Sequence, residues 1–126
     1  MIFIDTNILV RIIAGDNKKH RHEAVTILLK CIQGEEEGFI EDSVVAEVLY
    51  VLTSKKLYNF PRDEVTARLI ALISPEGIYH TYKPQLIYAL AAFGEGTEDF
   101  VDCLAILYME TGIVDGIASF DRKVNK

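Results

Sequence analysis

Cysteine is scarce in this chain, and its two residues, Cys31 and Cys103, lie far apart in helix-like surroundings. Neither has a second cysteine or a histidine at a zinc-ligand spacing. That argues against a disulfide framework or a structural zinc and for buried, reduced thiols. A basic excess is also missing. The formal net charge is −6, so broad, sequence-independent binding to duplex nucleic acid is not expected. Bound divalent cations would offset part of that charge. Every apolar run is broken by a charged residue before it reaches membrane-spanning length. Met1 leads straight into an apolar segment, with no basic region or cleavage site ahead of it. The expectation is a cytoplasmic protein with no membrane partner. Repeats, low-complexity tracts and linkers are absent as well. With 126 residues, half of them apolar, the chain predicts one domain spanning 1–126.

What is present is an alternation of short apolar segments with helical periodicity. Ile2-Phe3-Ile4 reads as a strand ending at Asp5-Thr6-Asn7. Ile8, Leu9, Ile12 and Ile13 then repeat at helical spacing, with Thr6 or Asn7 as the expected cap and Gly15 as the stop. A second helix is predicted over 19–33, a strand at Phe39-Ile40, and an apolar helix from Val44 to Leu52 opened by Ser43. Pro61 begins another helix, carrying Val65, Leu69, Leu72 and Ile73 on one side. A strand follows at Ile78–Tyr82, then helices from Pro84 to about Phe93 and over 98–111. Gly116-Ile117-Ala118-Ser119-Phe120 reads as a last short strand leading into Asp121. Strands alternating with helices predict an α/β fold, a three-layer α/β/α domain with a short, mainly parallel sheet. Such sheets place ligands beyond the carboxyl ends of their strands.

Four carboxylates stand out against this pattern. Asp5 and Asp121 follow predicted strands, where helix capping competes with function as the explanation. Glu47 sits in Val44-Val45-Ala46-Glu47-Val48-Leu49-Tyr50 and Asp102 in Phe100-Val101-Asp102-Cys103-Leu104, apolar helices with no evident polar stripe. Charged groups are seldom buried without a partner. A narrow solvated strip is the bland account of Glu47, and interaction with a helix N-terminus that of Asp102, although it suits Asp99 better. Asp99 shares a helix face with Asp102, and Ser43 one with Glu47. Carboxylates pressed together repel unless a cation neutralises them, and oxygen-only ligands select Mg²⁺ or Mn²⁺. Phosphoryl chemistry follows as the expectation.

Four stretches, Phe3-Ile4-Asp5-Thr6-Asn7, Ser43-Val44-Val45-Ala46-Glu47, Asp99-Phe100-Val101-Asp102-Cys103-Leu104-Ala105 and Ala118-Ser119-Phe120-Asp121, together resemble the PIN-domain nucleases. The chain looks especially similar to the VapC-type ribonuclease toxins of VapBC toxin–antitoxin pairs. The motifs occur in the family's order over essentially the whole chain. The resemblance implies an α/β/α fold and metal-dependent cleavage of single-stranded RNA. It also implies catalytic and metal-ligating roles for Asp5, Glu47, Asp102 and Asp121, with Asp99 as an additional metal ligand. Asn7, Ser43 and Ser119 map to supporting polar positions; many members carry Thr where Ser119 stands. The resemblance further implies a homodimer held inactive by a cognate antitoxin. Surplus apolar surface on helix 44–52 and at Tyr50, Tyr58 and Tyr88 independently points to an interface.

Arg11 and Arg122 are the basic residues expected to contact RNA. Lys18, Lys19, Arg21, Lys55, Lys56 and Lys123 read as solvated surface charge. Two alternatives compete with the ribonuclease. An aspartyl-phosphate phosphatase with Asp5 as nucleophile would want a second Asp where this chain has Asn7. A catalytically silent PIN-like binding module would not need four intact acids.

Overall fold

The computed structural model describes residues 1–120. Three two-residue strands, β1 (Ile2–Phe3), β2 (Gly38–Phe39) and β3 (Ile78–Tyr79), alternate with six helices. These are α1 (Thr6–Ala14), α2 (Lys18–Ile32), α3 (Asp42–Thr53), α4 (Arg62–Ile73), α5 (Lys83–Glu95) and α6 (Phe100–Glu110). The strands are parallel and lie in sequence order, with Phe3, Phe39 and Tyr79 in one row across the sheet. The α/β class with a parallel sheet is therefore as the sequence predicts.

Local chemistry accounts for the helix boundaries. Asn17 accepts the His20 N–H at 3.0 Å and starts α2. Gly15 ends α1 in the left-handed region, at φ 65°, a conformation that costs an L side chain strain. Asp63 and Glu64 sit in the first turn of α4, where its dipole favours acids. The Lys83 ammonium donates to the carbonyls of Ser74, Pro75 and Ile78, at 3.1, 2.7 and 2.7 Å, and so closes the turn between α4 and β3. Gly77 is required in that turn by contact: a Cβ there would lie 1.8 Å from the Cys31 carbonyl oxygen.

Period-two alternation then divides the sheet into two faces. Ile4, Ile40 and Ile78 are buried and join a core built from all six helices, including Leu9, Val45, Leu52, Leu69 and Leu90. The other face carries Phe3, Phe39 and Tyr79 as neighbouring rings, 6.3 and 5.8 Å apart. Phe3 and Tyr79 there are 59% and 48% exposed. Both cysteines are buried and free, as expected from their isolation. No helix of the described residues is long and apolar enough to cross a membrane.

Several expectations need correction. The segment 116–120 is not a strand: among the described residues it pairs with no strand, and Phe120 is fully exposed. A short apolar segment becomes a strand only if a sheet edge receives it. The strand expected over Ile78–Tyr82 stops at Tyr79, and the helix expected over 98–111 begins at Phe100. Tyr58, expected at an interface, is partly accounted for within the chain: it packs on Phe60 at 5.3 Å and its hydroxyl donates to Asp16 at 2.7 Å.

Candidate functional site

Each strand is followed closely by an ionisable residue at the carboxyl edge of the sheet. Asp5 follows β1, Glu41 and Asp42 follow β2, and His80 follows β3. This edge is where parallel α/β sheets gather functional groups.

Asp5 occupies the N-cap position of α1, with extended backbone angles, yet its side chain makes no capping hydrogen bond. Thr6 and Asn7, expected as caps, lie inside the first turn, and Thr6 is buried. The Asp5 carboxylate is exposed. Capping therefore does not explain it.

Glu47 is exposed, which corrects the expectation that α3 offers it no solvated strip. Ser43, Glu47 and Tyr50 form one outward row, while Val44, Val45, Val48, Leu49 and Leu52 face the core. A helix rich in apolar residues still presents one row to water, so burial does not single Glu47 out. Asp102 is half-buried in the first turn of α6, which corrects its expected place in mid-helix. An acid there is favoured by the exposed N–H groups of the helix end. Asp99 is the N-cap residue of α6 and, like Asp5, makes no capping hydrogen bond.

Asp99 and Asp102 line a cleft of about 440 Å³ between α3, the start of α4 and the N-terminus of α6. Ala46, Leu49, Tyr50 and Thr53 form its α3 wall, and Arg62 enters from α4. The Arg62 guanidinium lies 3.5 Å from the centroid of the Phe93 ring. Its Nε donates to the Phe93 carbonyl at 2.9 Å, and one Nη donates to the Glu98 carbonyl. Sequence reasoning passed over Arg62. A cation in the first turn of a helix opposes its dipole, and that misfit is the signal that could have found it.

The other expected residues are more dispersed. Asn7 and Arg11 line a separate shallow depression with His20 and Glu23. Arg11 approaches Asp16 at 3.9 Å. Ser43 is exposed one turn before Glu47, and Ser119 is half-buried in the irregular 116–120 segment. Asp121 and Arg122 lie outside the described residues. Among the described residues, no three His, Cys, Asp or Glu side chains converge as a metal ion would need. The acids supply the oxygen donors a hard cation prefers, but those described do not by themselves make a metal site.

A buried network missed by sequence reasoning lies at the same sheet edge. His80, 6% exposed, meets an Asp42 oxygen through Nε2 at 2.6 Å. The Tyr82 N–H donates to His80 Nδ1 at 3.0 Å. That contact makes Nδ1 an acceptor and places the ring proton on Nε2, which donates to Asp42. The Tyr108 hydroxyl donates to the second Asp42 oxygen at 2.9 Å. Burial pushes the Asp42 carboxyl up, but hydrogen bonds from His80 and Tyr108, with attraction to His80, outweigh it and hold the group below its ordinary range. Burial and the bond to Asp42 push the Tyr108 phenol above its ordinary value. The network ties β3 and α3 to α6, the helix that carries Asp102. An ionisable residue within three positions of the end of each of two strands is its only trace in the sequence.

Comparison with curated proteins finds no match. Comparison with solved structures finds none either. A family model does match, that of the PIN domain, and it spans residues 2–126. With nearly the whole chain covered, the protein belongs to the PIN domain family.

Proposed function

We propose that this protein is a Mg²⁺- or Mn²⁺-dependent endoribonuclease that hydrolyses phosphodiester bonds in single-stranded RNA. PIN domains are generally nucleases, and family membership supports a hydrolase. The observation that carries the finer reading is Asp5, exposed at the carboxyl end of β1 and holding a capping position without capping. An acid placed there and left without that structural task is available for a cation or a substrate. Asp102 and Asp99 add two carboxylates in one cleft, and Glu47 follows Ala46 of its wall. Asp121 completes the proposed set of ligands. When bound, a divalent cation would neutralise the acids and activate water for attack at phosphorus.

The resemblance to VapC-type toxins supports a wider proposal: a cytoplasmic toxin, homodimeric and restrained by an antitoxin. Tyr50 and Tyr88, 67% and 66% exposed, are apolar surface that such partners could cover.

The purified protein should cleave a labelled single-stranded RNA in Mn²⁺ or Mg²⁺ and lose that activity in EDTA. A second reading, the silent PIN-like binding module, is favoured by the absence of a three-ligand cluster among the described residues. Binding of the RNA without cleavage in either metal would establish that module instead. Release of phosphate from a phosphomonoester without RNA cleavage would point to the phosphatase.

A further inference from the structure

We infer that the cleft between α3, α4 and α6 holds one nucleotide of a single-stranded RNA, with its base against Tyr50 and its phosphate on Arg62. The inference rests on the ribonuclease reading and extends it to two residues that the family match does not assign.

Three observations converge on this cleft. Its volume of about 440 Å³ lies within the usual range for small-molecule sites, roughly 300–1,000 Å³. Tyr50 lines it and is 67% exposed, a large aromatic surface left in water one turn beyond Glu47. Sequence-tolerant stacking of a base on such a ring is a common mode of single-strand binding. Arg62 lines it too, and its guanidinium is held rigidly by the Phe93 ring and the carbonyls of Phe93 and Glu98. Those two carbonyls occupy two of the five guanidinium N–H groups, and the remaining three can meet a phosphate. A fork fixed in advance loses little entropy on binding.

Charge complementarity selects the occupant. Asp99 and Asp102 disfavour an anion beside them, and Arg62 is the cation among the residues that line the cleft, so a phosphate is accepted at its guanidinium. A nucleotide with its phosphate at Arg62 and its base toward Tyr50 satisfies both walls. An acidic peptide would meet the aspartates along its length, and a basic one would meet Arg62.

The test is fluorescence anisotropy with a labelled single-stranded RNA oligonucleotide in EDTA, where cleavage does not interfere. Tyr50→Ala should weaken binding roughly five- to a hundredfold, as expected for loss of one stacked base, and Tyr50→Phe should restore it. Arg62→Gln should weaken binding and reduce the slope of log K against log salt by about 0.7, the contribution of one single-strand phosphate. Arg62→Lys should keep that slope. Thermal unfolding of each variant establishes that it is folded. A folded Arg62→Gln that binds less tightly with an unchanged slope would show that Arg62 only holds the 93–98 segment, and would overturn its phosphate role. Wild-type affinity in folded Tyr50→Ala, or no RNA binding by the wild type, would overturn the subsite. A cleavage assay in Mn²⁺, run in parallel, judges the ribonuclease reading independently: cleavage with unaffected variants removes the subsite alone, and altered binding without cleavage removes the nuclease alone.

Discussion

Two sets of acids stand near the carboxyl edge of the sheet, and they differ in what they are bonded to. Asp42 accepts from His80 and Tyr108 with both oxygens, and burial of His80 makes that pairing obligatory. Asp5 and Asp99 occupy helix N-cap positions without capping, and Glu47 is exposed beside Ser43 and Tyr50. A carboxylate fully engaged with neighbours holds helices together; one left without that task is available to a ligand. Position in the sequence does not separate the two sets, because Asp5 and Asp42 each follow a strand within three residues.

The sharpest way to break this comparison is Asp5→Asn. Asparagine caps helices as well as aspartate, and Asp5 makes no capping bond, so the unfolding free energy should change by less than about 0.5 kcal/mol. RNA cleavage should fall roughly a thousandfold or more, about 4 kcal/mol of barrier. Urea denaturation and a gel cleavage assay measure the two quantities. Loss of stability in proportion to loss of activity would place Asp5 with Asp42 instead.

Asp42→Ala should do the reverse. It leaves the His80 Nε2–H and the Tyr108 hydroxyl without their acceptor. The cost is about 2 kcal/mol, since Asp42 is partly exposed and water can reach the gap. Asp42→Asn keeps one acceptor oxygen and should cost less. Urea unfolding of the two variants ranks them, and an undisturbed Asp42→Ala would remove the network from the account of stability.

These two substitutions also show what was legible in the sequence. The element order and the parallel sheet followed from hydrophobic periodicity, and Asp5 from its place after a strand. The exposure of Glu47 is not legible, because a run of apolar letters conceals the single row that a helix turns to water. The place of Asp102 in the first turn of α6 is not legible, because capping depends on backbone angles at Asp99, which spacing does not encode. The 116–120 segment reads as a short apolar strand, but strand formation needs a neighbour to supply hydrogen bonds. Asp42, His80 and Tyr108 were invisible for another reason: 38 residues separate the first two and 66 separate Asp42 from Tyr108. Only the fold brings them together. Arg62 is the mildest case, a cation against a helix dipole that local rules could have flagged.

Acid should erase part of the difference between the two sets. The Asp42 carboxyl titrates lower in the folded chain than in the unfolded one, despite its partial burial, because of its bonds to His80 and Tyr108. Its ionised form therefore stabilises the fold above the unfolded carboxylate value, about 3.9. That contribution is lost as pH falls through the lower folded value. The stability gap between wild type and Asp42→Asn should narrow as pH falls below about 4. Urea unfolding at stepped pH measures it. A gap that widens with acid would mean the folded carboxyl is raised rather than lowered.

Tyr108→Phe is the gentlest probe, because it deletes a single donor and leaves the ring against Tyr82, 5.4 Å between centroids. The hydroxyl lost is one of two donors to Asp42, and the vacated oxygen can turn to water. The expected cost is about 1 kcal/mol, below that of Asp42→Ala. Asp42 should also titrate closer to an ordinary carboxylate, so the loss of stability in acid should begin at a higher pH. A spectroscopic signature accompanies it: burial and the bond to Asp42 push the Tyr108 phenol above its ordinary value, so an alkaline absorbance titration of the variant should lose one phenol's absorbance change from the high-pH end. The two readouts divide the possibilities. If that absorbance change is lost but stability is unchanged, the hydroxyl is bonded as described and contributes nothing net, and Asp42 is held by His80 alone. If the high-pH absorbance change is undiminished in the variant, Tyr108 is not a phenol paired with Asp42, and the link from the sheet edge to the helix carrying Asp102 is broken.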